Sequence, residues 1–342
     1  MYLNGIGVAL DYNQAILWGE NLVRYYTNKF GENNKYVREW LNRLALLYQS
    51  NGNYKKALEI GEKLYKHYLD HDGEDSSNTI VMLGNLASYY SSLGYYSKAV
   101  EVGEKVYNYR LKNHGENSPH TLVSANNLAS YYNETGNSRK AVELAQKALD
   151  GRRRLLGEEH PDTINTMGNL ASFTNSLGDS KSAVQLCSEA HALSSKVLGE
   201  NHPSTLLVLS NLATYYKASG DYHKAIELCT IAYNSRIKVL GEMHPDTITS
   251  LNNLASYHAA FGNYNKALEL DEKVYTQRLK VLGEEHPKTI DSVNNLAVDY
   301  SRTAEYEKAA EYGEKALALY TKTLGEKHPD TLNALSNLAS IY

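Results

Sequence analysis

Residues 203–244 read PSTLLVLSNLATYYKASGDYHKAIELCTIAYNSRIKVLGEMH, and residues 245–286 read PDTITSLNNLASYHAAFGNYNKALELDEKVYTQRLKVLGEEH. Laid over one another they share the opening proline, an Asn-Leu-Ala triplet beginning at the ninth residue, a Gly-x-Tyr-x-x-Ala near the middle and a closing Leu-Gly-Glu. The period of 42 runs along the chain. All six prolines (Pro119, Pro161, Pro203, Pro245, Pro287 and Pro329) stand 42 apart, and a glycine lies four residues before each. That glycine phase continues back to Gly73 and Gly31 without a proline. A second joint, half a period away, carries Gly52, Gly94, Gly136, Gly178, Gly220 and Gly262. A fixed period of this length marks a repeat architecture.

Between the joints the apolar residues recur at helical spacing, as in Leu83, Leu86, Ala87 and Tyr90 and then Ala99, Val102 and Val106. Each repeat is therefore two helices. The first opens at the proline, which has no N–H to lose in a first turn, and stops at the second-joint glycine. The second ends with a basic residue (Lys112, Arg154, Lys196, Lys238, Lys280, Lys322) that suits the negative end of the helix dipole and reads as a solvated face. A hairpin of this size cannot bury its own apolar face, so successive copies must stack. The expectation is an all-α solenoid of stacked two-helix units over residues 1–342, with seven full repeats (35–328) between partial ones (1–34 and 329–342), as a segment of a longer array.

The pattern N-L-A-x-x-Y, then G-x-Y-x-x-A, then L-G-x-x-H-P-x-T resembles the tetratricopeptide repeat in its 42-residue form, the type of kinesin light chains and nephrocystin-like proteins. Asn85-Leu86-Ala87, Tyr90, Gly94, Tyr96 and Ala99 carry the likeness in one repeat, and Asn211-Leu212-Ala213, Tyr216, Gly220, Tyr222 and Ala225 in another. Departures are the missing His-Pro at GEDSSNT and GENNKYV, Arg43 in place of the repeated asparagine and Ala304 in place of the turn glycine, so the N-terminal third is expected to be irregular. The resemblance implies an all-α, right-handed superhelical solenoid that serves as a binding scaffold, with its first helices lining a concave groove and the asparagine slot facing a bound peptide.

That slot holds Asn85, Asn127, Asn169, Asn211, Asn253, Asn295 and Asn337. A side-chain amide donates and accepts at once, so it can pair with the backbone of any extended segment. Packed helices lie roughly 8–10 Å apart and an extended chain advances about 3.3 Å per residue, so one amide meets every third residue. The competing reading is that the amides bridge adjacent first helices. Three residues on, Ser88, Ser130, Ser172, Thr214 and Ser256 add a hydroxyl row, and the wall is expected to be polar and mostly uncharged, with Lys217 and His258 near it.

The other repeated residues read as structure. Of 34 aromatic residues 29 are tyrosine. Tyr89, Tyr131, Phe173, Tyr215 and Tyr257 share one slot, and Gly103, Ala145, Cys187 and Cys229 share a small-residue slot in the second helix, with Asp271 as the exception. Large rings filling small notches within each repeat would satisfy close packing. Cys187 and Cys229, one repeat apart, are then buried small residues too distant to bridge. The histidines before the prolines lack metal-ligand or catalytic spacing and suit helix starts.

Composition narrows the function classes. The 342 residues are 42% hydrophobic and 22% charged, with a formal net charge of −4. No stretch is long and apolar enough for a membrane span, and the N-terminal residues lack a signal-peptide layout. The acidic balance opposes nucleic-acid binding. With two cysteines the chain fits a reducing, cytoplasmic setting. The expected function is non-enzymatic, without metal or cofactor: a scaffold for an extended protein or peptide segment. Two alternatives stay open, the sensor portion of a larger signalling protein (a nucleotide-switch ATPase or a protease), and a structural array associating end to end.

Overall fold

The structure is a computed structural model that describes residues 12–342. Among these residues it has sixteen α-helices and no strands, in two compact units divided after Leu177. Unit one holds α1 (Tyr12–Phe30), α2 (Lys35–Ser50), α3 (Tyr54–Asp72), α4 (Ser77–Ser92), α5 (Tyr96–His114), α6 (Pro119–Glu134), α7 (Ser138–Leu156) and α8 (Pro161–Ser176). Unit two holds α9 (Ser180–Leu198), α10 (Pro203–Ala218), α11 (Tyr222–Leu240), α12 (Pro245–Ala260), α13 (Tyr264–Leu282), α14 (Pro287–Arg302), α15 (Tyr306–Leu324) and α16 (Pro329–Ile341). Within each unit, helices consecutive in sequence pack against one another; α6 also reaches α8, and α14 reaches α16. The partial helix expected at the very N-terminus lies outside the described residues.

The joints do what their residues suggest. His160, His202, His244, His286 and His328 are N-caps whose Nδ1 accepts the backbone N–H two residues on, at 3.1–3.2 Å. Where His-Pro is missing, Asn34 Oδ1 accepts from the Tyr36 N–H at 2.9 Å and Ser76 Oγ from the Thr79 N–H at 3.1 Å. The helix starts of the N-terminal third are therefore kept, against the irregularity expected there. A buried threonine closes some joints: Thr79 Oγ1 donates to the Gly73 carbonyl at 2.7 Å and Thr331 Oγ1 to that of Gly325 at 2.8 Å.

Two alanine columns set the helix spacing. Ala87, Ala129, Ala171, Ala213, Ala255 and Ala297 of the first helices are buried, and so are Ala57, Ala99, Ala141, Ala183, Ala225, Ala267 and Ala309 of the second. Side chains this small let backbones approach while filling the interior. A second aromatic column ties successive repeats: Tyr90 donates to Glu62 at 3.0 Å, Tyr300 to Glu272 at 2.6 Å, and Tyr48 and Tyr132 likewise bond Glu20 and Glu104.

The ring-and-notch pairing is real but lies between repeats rather than within them. A Cβ added at Gly61 of α3 would stand 3.0 Å from the Tyr89 ring of α4, and one at Gly103 of α5 would stand 3.0 Å from the Tyr131 ring of α6. The notches of α3 and α5 thus receive the ring that lies 28 residues ahead, in the next first helix, whereas Gly19 of α1 and Gly313 of α15 have Leu47 and Ile341 at that separation. The expected pair Tyr89–Gly103 does not form, because Gly103 is filled by Tyr131.

Ala304, in the slot of Gly220 and Gly262, keeps their left-handed backbone, with φ 64°. A Cβ there costs about 1–2 kcal/mol, while glycine loses about 0.4–1 kcal/mol through its freer unfolded chain. Ala304→Gly is expected to raise stability by about 1 kcal/mol, read as a higher urea midpoint at unchanged slope; an unchanged or lower midpoint would show that the turn carries no strain.

Candidate functional site

The asparagine column sits on the exposed flank of the first helices, beside their buried alanine stripe. Asn85, Asn169, Asn211, Asn253, Asn295 and Asn337 are half-buried and Asn127 is exposed. Three of them do bridge neighbouring first helices, as the competing reading expected. Asn85 Nδ2 donates to Asn42 Oδ1 at 3.2 Å, Asn169 to Asn126 at 3.2 Å and Asn337 to Asn294 at 3.3 Å. The partner always stands 43 residues earlier. For Asn127 that position is Gly84, which has no side chain, and for Asn253 it is Ser210, whose hydroxyl is engaged by Arg236 at 3.0 Å. Asn127, Asn211, Asn253 and Asn295 make no side-chain hydrogen bond among the described residues.

The hydroxyl column is largely internal. Ser88 Oγ accepts from Gln49 at 2.7 Å, and Ser256 Oγ from Lys217 at 3.1 Å. Ser130 donates to the Asn126 carbonyl at 3.3 Å, and Thr214 meets the Tyr257 hydroxyl at 2.8 Å. Ser172 is half-buried on α8. Each unit nonetheless holds a cavity on this side. In unit one, about 250 Å³ is bounded by Asn85, Ser88, Asn127, Gly84, Val123 and Arg110. In unit two, about 360 Å³ is bounded by Asn252, Asn294, Asn295, Asn337, Lys217 and Arg302, with Asp271 and Asp299 also on its wall.

Those charged groups correct the expectation of a mostly uncharged wall. His258 is not among the residues bounding the unit-two cavity; its Nδ1 is buried without a hydrogen-bond partner, and burial lowers its pKa. Arg110, Arg152, Arg236 and Arg278 form a further column, unremarked in the sequence because serine and tyrosine interrupt it at 194 and 320. Arg152 and Arg278 hold the Asp162 and Lys288 carbonyls at 2.9 Å, Arg110 the His120 carbonyl at 3.2 Å and Arg236 the Leu206 carbonyl at 3.2 Å. Burial pulls each guanidinium below its ordinary pKa.

Asp271 and Asp299 are the residues the sequence reading missed as a pair. Asp271 takes the notch position and Asp299, 28 residues on, takes the ring position. They are 5% and 3% exposed, and each lies near enough to shift the other's titration. Burial, then the neighbouring Asp299, push Asp271 up to about 8; burial also raises Asp299. Each carboxyl keeps one buried oxygen without a partner, Asp271 Oδ1 and Asp299 Oδ2. The signal was available: both residues break their own columns, at the separation that ring and notch keep elsewhere. Cys187 and Cys229, the notch residues of α9 and α11, are free and buried, with thiols pushed up to about 12 by burial.

Among the described residues no group of three or more His, Cys, Asp or Glu could hold a metal ion, and no helix is long and apolar enough to cross a membrane. A family model described as tetratricopeptide repeat matches residues 36–112, 162–228, 208–280, 246–322 and 293–342, and a second model so described matches 121–162. No curated protein matches the chain. Among solved structures it is similar to the nearly identical TPR-like repeats of a Podosopora anserina putative kinesin light chain, at 32% identity over 59% of this chain and 96% of that one, with a TM-score of 0.54. BtubC (BKLC) from P. vanneervenii is similar at 23% identity, over 68% and 94%, with a TM-score of 0.55. A Signal Transduction ATPase with Numerous Domains from Pyrococcus horikoshii, which has a tetratricopeptide repeat sensor, is similar at 16% identity over 96% of this chain and 48% of that one, with a TM-score of 0.62.

Proposed function

The chain belongs to the tetratricopeptide-repeat family, a fold of protein-interaction scaffolds that is typically non-catalytic, and from that premise we propose that it holds an extended segment of a partner protein along the asparagine-bearing face of its first helices. One observation carries this reading. Asn127, Asn253 and Asn295 present amides that no neighbouring side chain uses, and Asn127 and Asn295 stand on the cavity walls. Such amides meet a peptide backbone in both directions of hydrogen bonding. Asn85, Asn169 and Asn337 hold the first helices in register and offer their remaining amide atoms, while Ser88, Ser130, Ser172, Thr214 and Ser256 shape the wall.

Peptides selected from a random display library against the full chain test the proposal. In the Asn127→Ala/Asn253→Ala/Asn295→Ala variant, selected peptides are expected to bind at least tenfold more weakly, with the urea midpoint unchanged. Unaltered affinity in that variant refutes the groove.

A sensor role within a larger signalling protein draws on the likeness to the P. horikoshii ATPase, which matches 96% of this chain over 48% of its own length. The complete reading frame decides it, since an adjoining nucleotide-binding domain is required. The buried free thiols suit a reducing, cytoplasmic setting.

A further inference from the structure

At Gly61 and Gly103 an aromatic ring fills the notch, and Ala145, Cys187 and Cys229 have an aromatic residue at the same separation of 28. Between α13 and α14 two carboxyls hold these positions instead, and both lie on the wall of the unit-two cavity. A buried carboxyl oxygen without a donor is costly, and this site has two of them, Asp271 Oδ1 and Asp299 Oδ2.

The nearby cations do not satisfy them. Lys217 of α10 is bonded to Ser256 and lies over the Tyr257 ring, 5.6 Å from its centroid. Arg278, on α13 itself, is engaged by the Lys288 carbonyl and by Ser292 Oγ at 2.8 Å. Arg302 of α14 reaches only the other oxygen of Asp299, at 3.4 Å, and its side chain is 46% exposed. The remaining wall is amide. Two carboxyls alone are too few for a dedicated divalent-ion site, but they match one organic cation bearing several N–H donors.

We propose that the Asp271–Asp299 pair is a specificity subsite of the unit-two wall that takes one basic side chain of the bound segment, a lysine ammonium or an arginine guanidinium. This rests on the groove reading above. When the cation enters, its N–H groups donate to Asp271 Oδ1 and Asp299 Oδ2, and the proton held by Asp271 leaves to solvent. Charge-assisted hydrogen bonds then satisfy both oxygens in a water-poor site.

The test titrates the full chain, ¹³C-labelled at aspartate carboxyls, with n-butylammonium and n-butylguanidinium. Tetramethylammonium, which has no N–H, is the control. Saturable shifts of two carboxyl resonances are expected, with at least tenfold tighter binding at pH 9 than at pH 6, since the proton competes with the probe. The arms separate ammonium from guanidinium. Binding should disappear in Asp271→Cys/Asp299→Tyr, which copies the Cys229–Tyr257 arrangement, and in the near-isosteric Asp271→Asn/Asp299→Asn. Equal probe binding in the variants, no carboxyl shift at either pH, or a shift produced by calcium and not by the amines overturns the proposal. Peptide capture without probe binding refutes the subsite alone, and peptides indifferent to the asparagine variant refute the groove alone.

Discussion

Raising the pH from about 4 to about 8 is expected to destabilise the packing of α13 against α14 by on the order of 3–5 kcal/mol. In the unfolded chain Asp271 returns to the ordinary value of 3.8, whereas the folded protein, through burial and the charge of Asp299, holds it near 8. Between those values the folded state binds the extra proton. Stability is therefore full below about pH 4 and is lost as pH rises through the folded value, with a limiting slope of about 1.4 kcal/mol per pH unit. Other groups titrate in this range, so the informative quantity is the difference between the wild-type chain and Asp271→Cys/Asp299→Tyr. Urea midpoints and amide exchange in α13 and α14 measure it. The double variant should lose the pH dependence specific to those helices and be the more stable protein at pH 9. A difference that stays flat from pH 4 to 9 would mean that folded Asp271 does not hold its proton beyond the ordinary carboxylate range.

Tyr89→Ala should cost about 3–5 kcal/mol, the range for removing a large buried ring. Tyr89 is fully buried, and its ring fills the notch over Gly61. The loss is of packing and not of hydrogen bonding, because the Tyr89 hydroxyl is buried without a partner. Tyr89→Phe is therefore expected to be neutral or to stabilise by about 1 kcal/mol, since it removes an unsatisfied polar group. The chain already carries Phe173 at the corresponding position of α8, buried like Tyr89. Denaturant midpoints of the two variants decide the matter. A costly Tyr89→Phe would show that the hydroxyl has a partner, and a cheap Tyr89→Ala that the notch collapses without its ring.

Much of the fold was legible in the residues. Gly-Glu-x-His-Pro marks a helix end, a cap and a helix start because glycine, histidine and proline each do a local job within a few residues of chain. The candidate site was less legible. Nothing local to Asn127 or Asn169 tells that one amide is unengaged and the other bridged. The difference lies 43 residues earlier, in Gly84 against Asn126. Likewise Asp271 looked like a lone exception until Asp299 was found beside it.

The amino-acid sequence by itself determined the period, the helix pairs, their caps and the family, since each depends on residues close together in the chain. Only the tertiary structure decided which column meets which: rings enter the notch of the preceding repeat, amides pair across 43 residues, and two acids stand buried side by side. A repeat fixes where a side chain stands within its own unit, but its partner is chosen by the offset at which one helix settles against the next. That offset comes from packing whole side-chain surfaces together.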